Sequence, residues 1–254
     1  MVSLFDMGIF RFKYFNVVNE RSAMKVNTDG VLLGASMTIR PEDRIVLDVG
    51  TGTGTIALMA AQRLSDLCSF GADGGDGLSI HAIDIDEPSA SEAAMNFSLS
   101  PWSGFMSARH CSLEEFAQTS AMKFDLIFSN PPYFEDSLLA PQERRSNARH
   151  TSTGLSYREL LEFAAERLTD DGRFAVVLPA EQEAALTRYA RMCGLHMFRI
   201  VKVRTVPRKA PGRMIAEFSR FRTDSPAEEL ITIQNEGKYT QEYLSLTRDF
   251  YLFS

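Results

Sequence analysis

The chain has 254 residues, 44% hydrophobic and 24% charged, the composition of an ordinary soluble globular protein. That length accommodates one large α/β domain with an appended element. A net charge of −6 gives no overall sign of a nucleic-acid binder. No apolar run approaches the ~18 residues of a membrane span, and Met1–Phe10 lacks the basic and apolar segments of a leader. Cys68, Cys111 and Cys193 stand far apart without metal-ligand spacing, so neither a disulfide framework nor a metal site is expected. The chain reads as cytoplasmic.

In chain order, Phe10–Val18 alternates in character and predicts a short β-hairpin. Thr28 or Asp29 is positioned to cap a helix running to about Arg40. Arg44–Val49 is a β-branched strand ending in a glycine loop, followed by a helix from Thr55 to about Leu67. Ser69–Gly77 reads as a loop insertion. A strand over 78–83 leads through Asp84 to a helix over 89–99, for which Asp86 is a candidate N-cap. A strand near 105–110, a short helix over 113–118 and a strand ending at Ser129 come next. Helical spacing over 157–168 stops at Asp170-Asp171-Gly172, and 173–178 is a strand. A helix over 181–192 precedes strands at 196–206 and 216–222, joined by the Pro207–Gly212 turn. Such alternation predicts an α/β, doubly wound, mostly parallel seven-stranded sheet. It ends in a C-terminal antiparallel hairpin and carries an N-terminal hairpin/helix extension. The division expected is 1–40 for the extension and 41–254 for the main domain.

Charge is unevenly spread. Arg199, Lys202, Arg204, Arg208, Lys209 and Arg213 make the window 199–214 +6, leaving the remainder at −12. Arg144, Arg145, Arg149 and His150 form a second cluster. Each run alone reads as a solvated face; two near one site point to an anionic polymer.

Three segments carry the chemistry. Asp48-Val49-Gly50-Thr51-Gly52-Thr53-Gly54 follows the first strand of the main domain, and its alternate glycines allow a sharp turn and a close ligand approach. A dinucleotide fingerprint would need its third glycine three positions after the second. Asp48 would also repel a pyrophosphate, yet it could take up the cationic amine of a methionine moiety. Asp84 ends the next strand, where a carboxylate can accept ribose hydroxyls. Asn130-Pro131-Pro132-Tyr133 follows the apolar strand Phe124–Phe128. Two prolines rigidify the loop and leave their carbonyls free, while Asn130 and Tyr133 add an acceptor and a flat ring. Together they form a rigid pocket suited to a planar amide or exocyclic amine.

This combination resembles the class I S-adenosylmethionine-dependent methyltransferases acting on planar nitrogens. More closely, Phe15-Asn16-Val17, Ala23-Met24-Lys25-Val26, Thr28–Gly34, Asn130–Phe134, Ala148-Arg149-His150 and Asp249–Leu252 resemble the bacterial tRNA(Val) adenine-N6 methyltransferase family. The resemblance implies a Rossmann-like fold, S-adenosyl-L-methionine as methyl donor, no metal, and tRNA as substrate at adenine-37 beside the anticodon. It implies cofactor contacts from Lys25, Thr28, Asp48, Gly50, Thr51, Gly52, Gly54, Asp84, Ile85, Ser112 and Asn130. Asn130, Pro131, Pro132 and Tyr133 would be catalytic. Arg144, Arg145, Arg149, His150, Arg204, Arg208, Lys209 and Arg213 would contact RNA. Two departures stand out: Cys111-Ser112 replaces the acid many relatives carry near the cofactor adenine, and the 71–77 loop is lengthened.

Rival readings remain at this stage. A glutamine-N5 methyltransferase acting on a release factor shares the tetrapeptide, but it would carry a separate helical N-terminal domain. Methylation of rRNA adenine-N6 or guanine-N2 is a further option. A non-catalytic RNA-binding descendant is disfavoured by the intact Asp48, Asp84 and Asn130, and a nicotinamide oxidoreductase by the glycine spacing. No membrane partner is expected. The oligomeric state stays open, a monomer being compatible.

Overall fold

A computed structural model describes residues 8–68, 77–132 and 155–252. Its frame is an eight-stranded sheet built from β3 (Ile45–Val49), β4 (Ser79–Asp84), β5 (Met106–His110), β6 (Phe124–Ser129), β7 (Leu168–Pro179), β8 (His196–Arg204), β9 (Arg213–Ser219) and β10 (Ala227–Thr232). The order is β10-β8-β9-β7-β6-β3-β4-β5, and only β9 runs antiparallel to its neighbours. β4 lies on one side of β3 and β6 on the other, so the strand order reverses between β3 and β6. Ligands bind outside the carboxyl ends of strands at such a switch point.

The sheet carries helices on both faces. Val31, Leu32, Ile56, Leu58, Ala93 and Phe97 belong to one buried cluster, which takes in α1 (Thr28–Ser36), α2 (Thr55–Cys68) and α3 (Glu87–Ser98). Phe116, Leu160, Phe163 and Leu186 belong to the other, with α4 (Leu113–Thr119), α5 (Tyr157–Arg167) and α6 (Glu183–Met192). Parallel strands covered on both faces are apolar throughout, as in Val46-Leu47 and Leu126-Ile127-Phe128.

The N-terminal hairpin, β1 (Ile9–Arg11) and β2 (Asn16–Val18), is present. Its Phe12, Phe15 and Val17 share the first cluster with Phe97, Trp102 and Phe250. The Phe15 and Trp102 rings meet edge-on at 5.7 Å, so the single tryptophan is packing. Near the other terminus the Lys13 N–H donates to the Phe250 carbonyl.

Four local expectations change. Helix α1 is capped by Asn27, whose side chain accepts from the Gly30 N–H, and not by Thr28 or Asp29. It stops at Ser36 instead of near Arg40, because the buried Glu217 carboxylate takes the Thr38 N–H at 2.8 Å. The 170–172 segment does not separate helix from strand, since β7 already starts at Leu168. Pairing with β6 shifts from Phe124↔Leu168 to Leu126↔Arg173, so the extra residues bulge. A Cβ on Gly172 would lie 2.7 Å from the Phe124 carbonyl oxygen, which is why glycine stands in the bulge.

The fourth change is at the C-terminus. The 196–219 hairpin forms, but the sheet gains an eighth strand, β10, parallel to β8. A small hairpin, β11 (Gln234–Asn235) with β12 (Lys238–Tyr239), and helix α7 (Gln241–Thr247) follow. The polar start of β10, Ala227-Glu228-Glu229, hides its strand character; it is an exposed edge with only Ile231 and Thr232 buried.

Candidate active site

The glycine loop wraps the carboxyl end of β3. Gly50, Gly52 and Gly54 all have positive φ (71°, 57° and 80°), a region strained for residues with a Cβ. A Cβ on Gly54 would also lie 2.5 Å from the Phe97 ring, so the glycine lets α3 pack beneath the loop. The Gly50 and Thr51 N–H groups donate to the Ile83 carbonyl, tying the loop to β4.

Asp48 is fully buried under this loop. Its Oδ2 accepts from the Thr51 hydroxyl at 2.7 Å. Its Oδ1 makes no hydrogen bond among the described residues. Burial pushes the carboxyl up to about 7; the Thr51 hydroxyl opposes this, the Asp84 charge adds to it, and the Ala57 backbone N–H pulls it down least. A buried, half-partnered carboxylate costs stability unless a cationic or donor group meets it.

Asp84 closes β4. Its two oxygens accept from Gly52 N–H (2.8 Å) and Asp86 N–H (2.9 Å), which aims the carboxylate across the loop. Desolvation raises its pKa despite those bonds. Asp86 caps α3, accepting from the Ser89 N–H. Ile85 is 69% exposed beside it, an unusual position for isoleucine. Ser112 caps α4 by accepting from Glu115 N–H, at the carboxyl end of β5.

Asn130 immediately follows β6 and is 5% exposed. Beneath it the Ser129 hydroxyl donates to the Val49 carbonyl, locking β6 to β3 at the switch point. The Asn130 side-chain amide lies 3.5 Å from the Met24 sulfur. Met24, Lys25, Val26, Asn27 and Gly30 line a cleft with Gly50, Thr51, Gly52, Ile56 and Asn130. Thr28 is exposed one residue outside that lining. Pro131 is buried and Pro132 partly so. Tyr133, Arg144, Arg145, Arg149 and His150 lie outside the described residues.

The cleft holds about 30 Å³ of free space. That is roughly one water's share, against ~300 Å³ or more for an ordinary ligand pocket. The rigid pocket expected beside Asn130 is present as this narrow cleft, one wall of which is the 24–27 segment. A larger depression, about 940 Å³, runs along Ala180–Met192, but its Glu181, Glu183, Arg188 and Arg191 balance in charge and it includes no residue of the glycine loop.

Two residues that hold the site escaped the sequence reading. Glu92 of α3 is buried and accepts from the N–H groups of Glu20, Arg21 and Ser22 at 2.6–3.1 Å. Asn96 bridges Val18 on both backbone groups and the Thr53 carbonyl of the glycine loop. The signal was available: Ser89, Glu92 and Asn96 form a polar stripe at helical spacing between Ala90, Ala93 and Phe97.

The basic run is dispersed by the fold. Arg199 pairs with Glu217 and Glu229, and Lys202 with Glu183 and Glu228. Arg213 binds Asp29 at the start of α1 at 2.9 Å. Arg204 donates to Thr232 and the Pro207 carbonyl. Arg208 and Lys209 are exposed on the β8–β9 turn, without an ion pair among the described residues. No group of three metal-ligating side chains occurs among the described residues, and no described helix is long and apolar enough to cross a membrane.

The methyltransferase small domain family model matches residues 22–192. The tRNA1(Val) (adenine(37)-N6)-methyltransferase of Bacteroides fragilis is 39% identical over 244 residues, 96% of this chain and 97% of its own length. That of Parabacteroides distasonis is 40% identical over the same shares, and that of Salmonella paratyphi B is 36% identical over 96% and 95%. Among solved structures, a predicted O-methyltransferase from Agrobacterium tumefaciens superposes with a TM-score of 0.58, 14% identity and coverage of 87% and 96%. A methyltransferase from Pyrococcus furiosus gives 0.55 with 18% identity, over 80% and 89%. At those identities the structural likeness establishes the class I methyltransferase fold, and with the family it implies S-adenosylmethionine as donor. The glycine loop, the Asp84 carboxylate and Asn130 thus meet at one switch point in a chain that belongs to the tRNA1(Val) (adenine(37)-N6)-methyltransferase family.

Proposed function

We propose that the protein transfers a methyl group from S-adenosylmethionine to the N6 amine of adenine-37 in tRNA1(Val), in the cytoplasm. The observation that carries this reading is the buried Asn130 at the end of β6, beside the glycine loop and the 24–27 segment. The residues present fit the donor. The unpartnered Asp48 Oδ1 suits the methionine ammonium, directly or through water, and the positive-φ glycines leave room for close approach. Asp84 keeps lone pairs for ribose hydroxyls, and Ile85 offers an apolar face for an adenine ring. Ser112, already an N-cap acceptor, still has a hydroxyl proton to donate to the adenine edge. The Met24 side chain must swing off Asn130 for the ligand to enter; an unbranched thioether does so easily.

When bound, the donor supplies an electrophilic sulfonium methyl. The chain supplies position and polarity. The amine of adenine is a poor nucleophile because its lone pair is delocalised into the ring. Asn130 Oδ1 and the Pro131 carbonyl would accept its two hydrogens and favour a pyramidal nitrogen aimed at the methyl. Tyr133 would stack on the base, a contact worth roughly 1–3 kcal/mol. No strong base is required, since the methylated cation readily loses a proton. The rate gain comes from orientation and preorganised dipoles. Adenine-37 must be splayed out of the anticodon stack to reach the site. Of the 1–40 extension, the 24–27 segment walls the donor cleft.

The test is methyl transfer from labelled S-adenosylmethionine to unmodified tRNA1(Val), with nucleoside mapping of the product. N6-methyladenine at position 37 is expected. Label on protein would favour the glutamine alternative, and label elsewhere in RNA would move the substrate assignment.

A further inference from the structure

Resting on that reading, we propose that the β8–β9 turn and the β11–β12 hairpin beside it form a ledge that docks the tRNA backbone flanking the target base. Arg208 and Lys209 are its main phosphate contacts, and Lys238 with Tyr239 extends it.

Topology places the ledge. β8 runs parallel to β10 and antiparallel to β9, as β7 does, so Arg204 lies at the same carboxyl end of the sheet as Asn130. The turn after Arg204 is anchored by Gly212 N–H to the Val203 carbonyl, and Gly212 accepts from Ala180 N–H beyond β7. The Ile233 and Gln234 N–H groups donate to the Arg204 and Thr205 carbonyls, fastening the small hairpin to the same turn. Thus two projections rise side by side from one rim. Counting strands at ~5 Å each, the turn between β9 and β8 lies roughly 10–15 Å from the end of β6. An RNA strand crosses that span in a few nucleotides.

Charge selects within the rim. Residues 205–212 contain Arg208 and Lys209 and no acid, and both cations are exposed. Arg199, Lys202 and Arg213 come from the same basic window but are joined to carboxylates. Arg204 turns its Nε and one terminal nitrogen inward, to the Thr232 hydroxyl and the Pro207 carbonyl. On the hairpin, Lys238 is exposed and Tyr239 is 48% exposed, a cation beside a flat ring. Glu236 at the hairpin tip is the one acid on these two projections. The combination suits a polyanion with unstacked bases, where phosphates meet cations and a ring can meet a base.

The experiment compares tRNA1(Val) binding to the full-length protein across salt concentrations, with methyl transfer and S-adenosylhomocysteine binding measured in parallel. For Arg208→Ala/Lys209→Ala, affinity should fall roughly tenfold near 0.15 M salt, and the log–log salt slope should shrink by about 1.5. KM for tRNA should rise with little change in kcat, and S-adenosylhomocysteine binding should be unaltered. Lys238→Ala should act in the same direction with a slope change of about 0.7. Lys202→Gln removes one charge from the paired set and should leave the slope unchanged. If the wild type methylates tRNA while the double variant keeps its affinity and slope, the ledge is wrong and the function stands. Equal slope losses in Lys202→Gln and the double variant would also overturn it. A wild type that neither binds nor methylates tRNA removes both readings.

Discussion

At the amino end of the sheet, the buried carboxylates of Asp43 and Glu217 are met by cations of their own chain; at the carboxyl end, one oxygen of Asp48 is left open. Arg173 and Asp43, 1% and 2% exposed, meet at 2.5 Å below the segment joining α1 to β3. Close by, the fully buried Glu217 receives Thr38 twice and Arg199 once. The carboxylates there have native partners, so the network fixes where α1 ends and β3 begins. Asp48, as deeply buried, has one oxygen without a partner and a carboxyl pushed up to about 7. The contrast teaches how to tell a structural buried charge from a functional one: the first is neutralised by its own chain, the second awaits a ligand.

The contrast breaks most sharply if its stable half is damaged. Arg173→Met strands the Asp43 carboxylate and should destabilise the protein by about 3–5 kcal/mol. Urea unfolding measures this, and the fraction still folded should bind S-adenosylhomocysteine normally. At the other end, Asn130→Ala should slow single-turnover methyl transfer about 10²–10³-fold. Unfolding free energy should fall by roughly 1–2 kcal/mol, well short of Arg173→Met, because Asn130 is buried but carries no charge. A stability loss comparable to that of Arg173→Met would erase the distinction.

Acidity sharpens the comparison further. Asp48 is raised from 3.8 to about 7, so the folded state binds a proton that the unfolded chain has already released between those values. Its contribution is therefore favourable below about pH 4 and is lost as pH rises through 7. Asp84, also raised, acts in the same direction. Asp48→Asn should flatten the pH dependence of the melting temperature over pH 4–8 and stabilise the ligand-free protein near pH 8. In the wild type, S-adenosylhomocysteine should raise the melting temperature more at pH 8 than at pH 6, and Asp48→Asn should abolish that difference. The smallest effect is expected for Glu92→Gln. It keeps the shape but weakens the charge-assisted bonds to residues 20–22, destabilising by roughly 1–2 kcal/mol. Cofactor affinity should drop more than stability, because these bonds hold the cleft wall; isothermal titration beside urea unfolding separates the two.

The order of helices and strands from β3 to β9 was legible because buried parallel strands are continuous apolar runs and their helices carry periodic apolar faces. The glycine loop, Asp84 and Asn130 were legible for a different reason: unusual backbone or a rigid loop needs particular residue types, whatever surrounds it. The end of the sheet was harder to read. β10 is an edge strand with four exposed residues, so its pattern is that of a polar loop.

By itself, then, the sequence determined the winding of the domain and the residue types at the switch point, since both depend on local patterns along the chain. Tertiary structure alone decided three matters. It ended α1 at Ser36, since the competing acceptor Glu217 is 179 residues away from Thr38. It chose Glu92 and Asn96 to clasp the N-terminal segment over the glycine loop. And it divided one run of like charges into paired and exposed members, because each carboxylate partner comes from another element. Ion pairing and helix termination depend on what lies across space, and a one-dimensional pattern does not carry that information.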